Sequence, residues 1–117
     1  MNGLGVRIAL TAALLLSGCD QIKPRPNSAT REAIERGQRT VARLGCGACH
    51  EIAGVWPAGT SGPSLLGFGA RGNIAGLYAN RPDALAAFLL DPAGSAMPRI
   101  AMTSREAADM AAFLHAQ

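Results

Sequence analysis

The sequence predicts an all-α fold of about three main helices joined by long loops. Three observations carry that expectation. Apolar positions recur at helical spacing over 31–44, Thr103-Ser104-Arg105-Glu106 forms a strong helix start followed by an apolar stripe, and neither strand-like alternation nor an internal repeat appears. With 117 residues, 49% of them hydrophobic, the chain has room for one compact domain. Aromatic residues make up only 4% while Gly alone numbers 14, so the side chains by themselves form a thin core that a large buried cofactor would complete. The net charge of +3 is mild and the basic residues form no stripe interleaved with aromatics, which argues against nucleic acid as a partner.

Residues 1–18 read as an export signal: Arg7 is the only charge before the apolar run Ile8 to Leu16, and Ser17 and Gly18 follow. That run is too short to span a bilayer comfortably. Leu16-Ser17-Gly18-Cys19 resembles the lipobox of bacterial lipoproteins, which implies that Cys19 becomes the acylated first residue of the mature chain. Residues 19–30, polar and carrying Pro24 and Pro26, then read as a lipid-anchored flexible tether with a reach of roughly 35 Å at about 3 Å per residue. The folded domain is expected over 31–117.

Within that domain, Ile34, Val41 and Leu44 fall near one helical face with Gly37 between them, where the absent side chain lets another helix approach closely. Arg36, Arg39 and Arg43 lie largely elsewhere and read as a solvated face. Residues 52–80 are rich in Gly and Pro with Arg71 as their only charge, so regular structure is not expected there. Leu65, Leu66 and Phe68 indicate that this long loop is organised around something apolar. A helix over 82–90 is expected, with Asn80 as its N-cap, Leu85, Phe88 and Leu89 on one face, and Pro92 ending it. In the last helix, Thr103 and Glu106 form a capping box, and Ala107, Met110, Phe113 and Leu114 face inward.

The chemistry lies in Cys46-Gly47-Ala48-Cys49-His50. Two thiols separated by two residues can add across the two vinyl groups of haem, and the histidine that follows is delivered to the iron. Zinc would need two further Cys or His ligands, for which only Cys19 and His115 remain. A thioredoxin-like pair lacks its usual alternation of strand and helix. The motif therefore points to one haem c, bound through Cys46 and Cys49, with His50 as an axial ligand. Met97, in Ser95-Ala96-Met97-Pro98, is the candidate for the second axial position, since Pro98 biases it toward an extended backbone on a loop. A thioether there favours ferrous over ferric iron. Met110 reads as core, Met102 as a contact beside the helix cap, and His115 as a surface residue.

These residues resemble the small bacterial monohaem members of the class I c-type cytochromes, from about Glu35 to the C-terminus. The resemblance rests on Gly37, Cys46-x-x-Cys49-His50, Gly62-Pro63-Ser64-Leu65, Ala96-Met97-Pro98 and the amphipathic last helix, in that order. It implies the cytochrome c fold around one covalently bound haem, with the first and last helices crossing where Gly37 and Val41 meet Phe113 or Leu114. It further implies that the Pro63 carbonyl accepts a hydrogen bond from His50, that Leu65 and Leu66 line the haem, and that Arg71 or Tyr78 reaches a propionate, with Trp56 a further candidate. Val41 stands where the family carries an aromatic residue. The stretch from Gly67-Phe68-Gly69-Ala70-Arg71 through Met97 also looks like cytochrome c domains found with haem-copper oxidases.

The expected function is that of a non-enzymatic electron carrier, lipid-anchored on the periplasmic side of a bacterial membrane. Asp20 directly after Cys19 resembles an inner-membrane retention signal. The expected partners are a redox protein donor and a redox protein acceptor, the latter a terminal oxidase of the haem-copper kind, with no small-molecule substrate. A haem enzyme or gas sensor with an open axial site, and a fixed electron-entry subunit of a larger complex, are the alternatives.

Overall fold

A computed structural model describes residues 27–117. The leader at 1–18, Cys19 and most of the tether fall outside the described residues. Helix α1 (Ser28–Arg43) starts three positions before the expected boundary, because the Asn27 side chain accepts from the Thr30 N–H at 2.8 Å and supplies the N-cap. Residues 28–30 therefore belong to the folded domain and not to the tether. At the other end, Gly45 adopts a left-handed backbone (φ 75°) and lets the chain turn directly into a 3-10 turn over Cys46–Ala48.

The segment 52–80 contains more regular structure than its composition suggests. A 3-10 turn covers Phe68–Ala70, and a two-residue antiparallel pair forms between β1 (Asn73–Ile74) and β2 (Tyr78–Ala79). Strands this short leave no alternation to read in the sequence; the hairpin is fixed by its turn, where Asn73 Oδ1 accepts from Gly76 N–H at 3.2 Å and Gly76 takes φ 72°.

Helix α2 (Pro82–Leu90) has the expected span and buries Leu85, Phe88 and Leu89. Its N-cap, however, is Arg81, which gives no side-chain cap; the Asn80 amide is engaged with the carbonyls of Phe68 and Arg71 instead. Helix α3 (Ser104–His115) carries the full capping box: Thr103 Oγ1 accepts from Glu106 N–H at 3.1 Å, and Glu106 Oε2 accepts from Thr103 N–H at 2.8 Å.

Helices α1 and α3 pack where Gly37 meets α3. A Cβ added at Gly37 would stand 2.0 Å from the Asp109 carbonyl oxygen and 2.8 Å from Phe113 Cβ, so the helix backbones approach as closely as a glycine permits. Val41, fully buried one turn on, joins Met110, Phe113 and Leu114 in a single core with Ile52, Phe68, Ile74 and the apolar face of α2. The arginines of α1 are not simply a solvated face. Arg36 grips Asp109 with both Nε (2.7 Å) and Nη2 (3.0 Å), and Arg43 bonds Glu106, so α1 is tied to α3 at two levels. The Arg36 fork holds the Asp109 carboxyl below the usual carboxylate range, against the opposing effect of burial.

Two outcomes follow from this crossing. Gly37→Ala forces the helices apart and lowers the free energy of unfolding by about 1–3 kcal/mol or more, measurable by urea denaturation. Because Asp109 titrates lower when folded than when unfolded, its contribution is fully present above the unfolded value of about 3.9 and disappears as pH falls through the folded value. The stability difference between wild type and Asp109→Asn, followed by thermal unfolding from pH 7 to pH 2, should therefore be largest near neutrality and shrink below about pH 4.

Candidate functional site

The Cys46 motif follows α1 without a linker. The 3-10 turn closes with the N–H groups of Cys49 and His50 both directed at the Cys46 carbonyl, at 3.2 and 3.0 Å. Within these five residues Cys46 and His50 come to line one cavity. Gly47 is buried because the 56–59 segment lies against it: its Cα is crowded by the Pro57 carbonyl oxygen, 2.3 Å from where a Cβ would stand, and its own carbonyl accepts from Gly59 N–H at 2.8 Å.

His50 is fixed by the loop opposite. Its Nδ1 lies 2.7 Å from the Pro63 carbonyl oxygen. A carbonyl only accepts, so Nδ1 carries the proton and Nε2 holds the free lone pair, the tautomer an axial ligand needs. The loop is tied on both flanks of Pro63, by Gly62 N–H to the Cys49 carbonyl (2.7 Å) and Leu65 N–H to the Glu51 carbonyl (2.8 Å). Gly62 itself lies flat against the imidazole; a Cβ there would stand 2.6 Å from His50 Cε1.

Cys46, His50, Pro63, Leu65, Arg71 and Met97 all line one cavity of about 470 Å³, closed by Val41, Phe68, Ile74, Phe88, Met110 and Leu114. A volume of that order suits a large, mostly apolar ligand. Met97 reaches it from the loop after α2, where Ser95 Oγ donates to the Pro92 carbonyl (2.8 Å) and accepts from Met97 N–H (3.2 Å), a small hydroxyl-centred turn. The site thus offers an imidazole with a free lone pair, a soft thioether and an apolar wall, and this donor set fits haem iron. Burial pushes the Cys46 thiol up from its ordinary pKa, so it is not a standing thiolate nucleophile as a redox pair requires. Among the described residues no group of three or more His, Cys, Asp or Glu side chains converges.

Several residues lie elsewhere than the sequence suggests. Cys49 is exposed and is not part of the cavity wall. Leu66 is also exposed and turned away from the wall, whereas its neighbour Leu65 lines it. Tyr78, on β2, is about half exposed at 49% and tilts against Phe88, one layer behind the cavity, with ring centroids 6.4 Å apart. Trp56 is 86% exposed and belongs neither to the core nor to the cavity. His115 is not a surface residue: its ring meets Phe68 edge to face at 6.1 Å, its Nε2 is buried without a partner, and burial lowers its pKa. It therefore supports Phe68 from behind the cavity wall. Its proximity to Gly69, where a Cβ would stand 2.2 Å from the His115 carbonyl oxygen, has no signature in the sequence beyond the glycine itself. Asn80 is a further residue that sequence reasoning misplaced, and its two side-chain bonds into the 68–71 turn hold that wall in place.

The packing of Gly62 on His50 is directly testable. Gly62→Ala displaces the imidazole from the Pro63 carbonyl, and purified Gly62→Ala holoprotein should show weakened haem-iron ligation by histidine in its electron paramagnetic resonance spectrum, with a lower yield of holoprotein.

A family model described as Cytochrome c matches residues 34–117. No curated protein and no solved structure matches the chain. The matched region begins within α1, takes in the attachment motif, the Pro63 loop and Met97, and ends with α3. With most of its length matched and its three helices disposed around the cavity, the chain belongs to the cytochrome c family, as a class I c-type cytochrome whose cofactor is covalently attached haem c.

Proposed function

We propose that this protein is a membrane-tethered, six-coordinate electron carrier, passing single electrons between respiratory redox proteins and toward a terminal oxidase. The observation that carries the reading is the meeting of His50 and Met97 on one apolar cavity beside Cys46, with His50 already held in its ligating tautomer by the Pro63 carbonyl. Haem supplies a reversible one-electron couple between ferric and ferrous iron. His50 and Met97, both on the cavity wall, would hold the iron and leave it no coordination position for a substrate, which favours electron transfer over catalysis. Met97 as a thioether donor would favour the ferrous form, and the hydrogen bond on His50 Nδ1 would raise imidazole basicity and oppose it. The apolar lining of the cavity would limit solvent reorganisation around a bound haem iron.

Tethering is supported by the lipobox-like Leu16-Ser17-Gly18-Cys19 and the polar, proline-bearing residues that follow. Among the described residues no helix is long and apolar enough to cross a membrane. A lipid-anchored domain works at high effective concentration near membrane partners, which compensates for weak docking. The oxidase direction rests on the likeness of the stretch from Gly67 through Met97 to cytochrome c domains found with haem-copper oxidases.

Ferric holoprotein should show the weak sulfur-to-iron absorption band, and the untreated ferrous form should exclude carbon monoxide. Met97→Ala should abolish the band, admit carbon monoxide and lower the reduction potential by tenths of a volt, within the roughly 0.8 V over which axial ligands set haem potentials. Ready binding of carbon monoxide by the ferrous wild type would replace the carrier reading with that of a haem enzyme or sensor. Gel filtration after mild detergent extraction separates a free carrier from a fixed subunit of a larger complex.

A further inference from the structure

Arg71 is the only charged side chain between 52 and 80, and it lines the cavity. Its guanidinium is nevertheless already engaged by the protein. Nη2 donates to the Ser64 carbonyl and, at 3.4 Å, to the Leu66 carbonyl, while the guanidinium carbon lies 5.7 Å from the centroid of the Phe68 ring. The backbone of Arg71 is tied as firmly. Its N–H donates to the Phe68 carbonyl at 3.1 Å, and its carbonyl accepts from Asn80 Nδ2 at 3.0 Å; the same amide donates to the Phe68 carbonyl at 3.0 Å.

The bonds made by Arg71 fall next to the one that holds His50. The Ser64 carbonyl and the Leu65 N–H share one peptide plane. Arg71 holds the first, and the Glu51 carbonyl holds the second at 2.8 Å. On the other side, the ring of Pro63 fixes its own φ. The peptide that carries the Pro63 carbonyl is therefore bracketed by a rigid residue and by a plane secured at both ends, and its oxygen has little freedom to turn from His50 Nδ1.

We propose that Arg71 is a positioning residue for the axial histidine: its guanidinium clamps the Ser64–Leu66 turn, so that the Pro63 carbonyl stays on His50. Asn80 extends the clamp, anchoring Arg71 to the start of α2. The inference rests on His50 being an axial ligand of the holoprotein, and it assigns Arg71 a role distinct from supplying charge to a propionate. Arginine suits the role because its planar guanidinium lies over the Phe68 ring and so fixes Nη2 at the Ser64 and Leu66 carbonyls, whereas a lysine ammonium keeps the charge without that stacking.

The experiment uses the ferrous holoprotein with nitrogen-15-labelled histidine, and reads the solvent-exchange rate of the His50 Nδ1 proton by nuclear magnetic resonance together with the reduction potential. In Arg71→Lys and Arg71→Gln the exchange should accelerate on the order of tenfold, as local opening becomes easier. Arg71→Lys, with charge retained and imidazole basicity reduced, should also rise in reduction potential. Asn80→Ala should accelerate exchange to a lesser degree. If Arg71→Lys keeps the wild-type exchange rate and potential while Arg71→Gln alone changes, Arg71 acts as a charge and the clamp is refuted. Wild-type exchange in all three variants refutes it equally. A ferrous wild type without a histidine-ligated spectrum refutes instead the coordination on which the inference rests.

Discussion

The structure depends on how closely α1 and α3 can approach, and Gly37 sets that distance. With backbone atoms of Asp109 lying where a Cβ would stand, the two helices cross at the nearest separation available to them. The approach has consequences on both sides of the crossing. Inward, it brings Val41 into register with Met110 and Leu114 as one wall of the cavity. Outward, it puts Arg36 within bidentate reach of Asp109, and Arg43 within reach of the same Glu106 that closes the capping box. Apolar burial and charge pairing thus secure one contact from opposite faces of the same helices. The exposed partners of such pairs contribute modestly, and the weight falls on the buried stripe.

The remainder of the cavity is built by loops, and its rigidity comes from side chains bonding to backbone carbonyls instead of from a sheet ladder. Asn80, Arg71 and Ser95 each bridge segments that have little regular structure of their own. Gly-rich loops lose much conformational entropy on ordering, and bonds of this kind, together with Phe68 and Leu65 turned inward, offset that loss. Phe68 occupies a central place in the arrangement: its ring faces the cavity, Arg71 lies over it, and His115 meets its edge from the C-terminal helix. One aromatic ring therefore joins the loop to α3 in a chain that has few aromatics.

For electron transfer, the useful property of such a site is that it changes little when the iron changes charge. His50 is held by a carbonyl whose own position is constrained, and Met97 is held by a turn centred on Ser95. Preorganised donors of this kind would keep reorganisation small at a bound haem iron.

The sequence by itself determined what is local: covalent haem attachment with a histidine beside it from five consecutive residues, the capping box of α3 from four, the span of α2 from its prolines, and Gly37 as the point of close approach. The place of Met97 on the cavity is legible because an unbranched thioether before a proline on a loop has a recognisable setting, and the contact of Pro63 with His50 because Pro63 stands within a motif that resembles the family's. Only the tertiary structure decided which long-range partners each polar side chain takes. Arg36 finds Asp109 seventy-three positions away, and nothing in either neighbourhood marks the pair. Asn80, two positions before Pro82, has the residue type of a helix cap, yet two carbonyls of a folded-back loop compete for its amide and win. Trp56, Leu66 and Tyr78 are exposed, and the cavity wall is taken by Leu65, Phe68 and Ile74 from the loops together with Val41, Met110 and Leu114 from the crossing helices. Such competition among distant groups for one position has no local signature, and the packed chain alone resolves it.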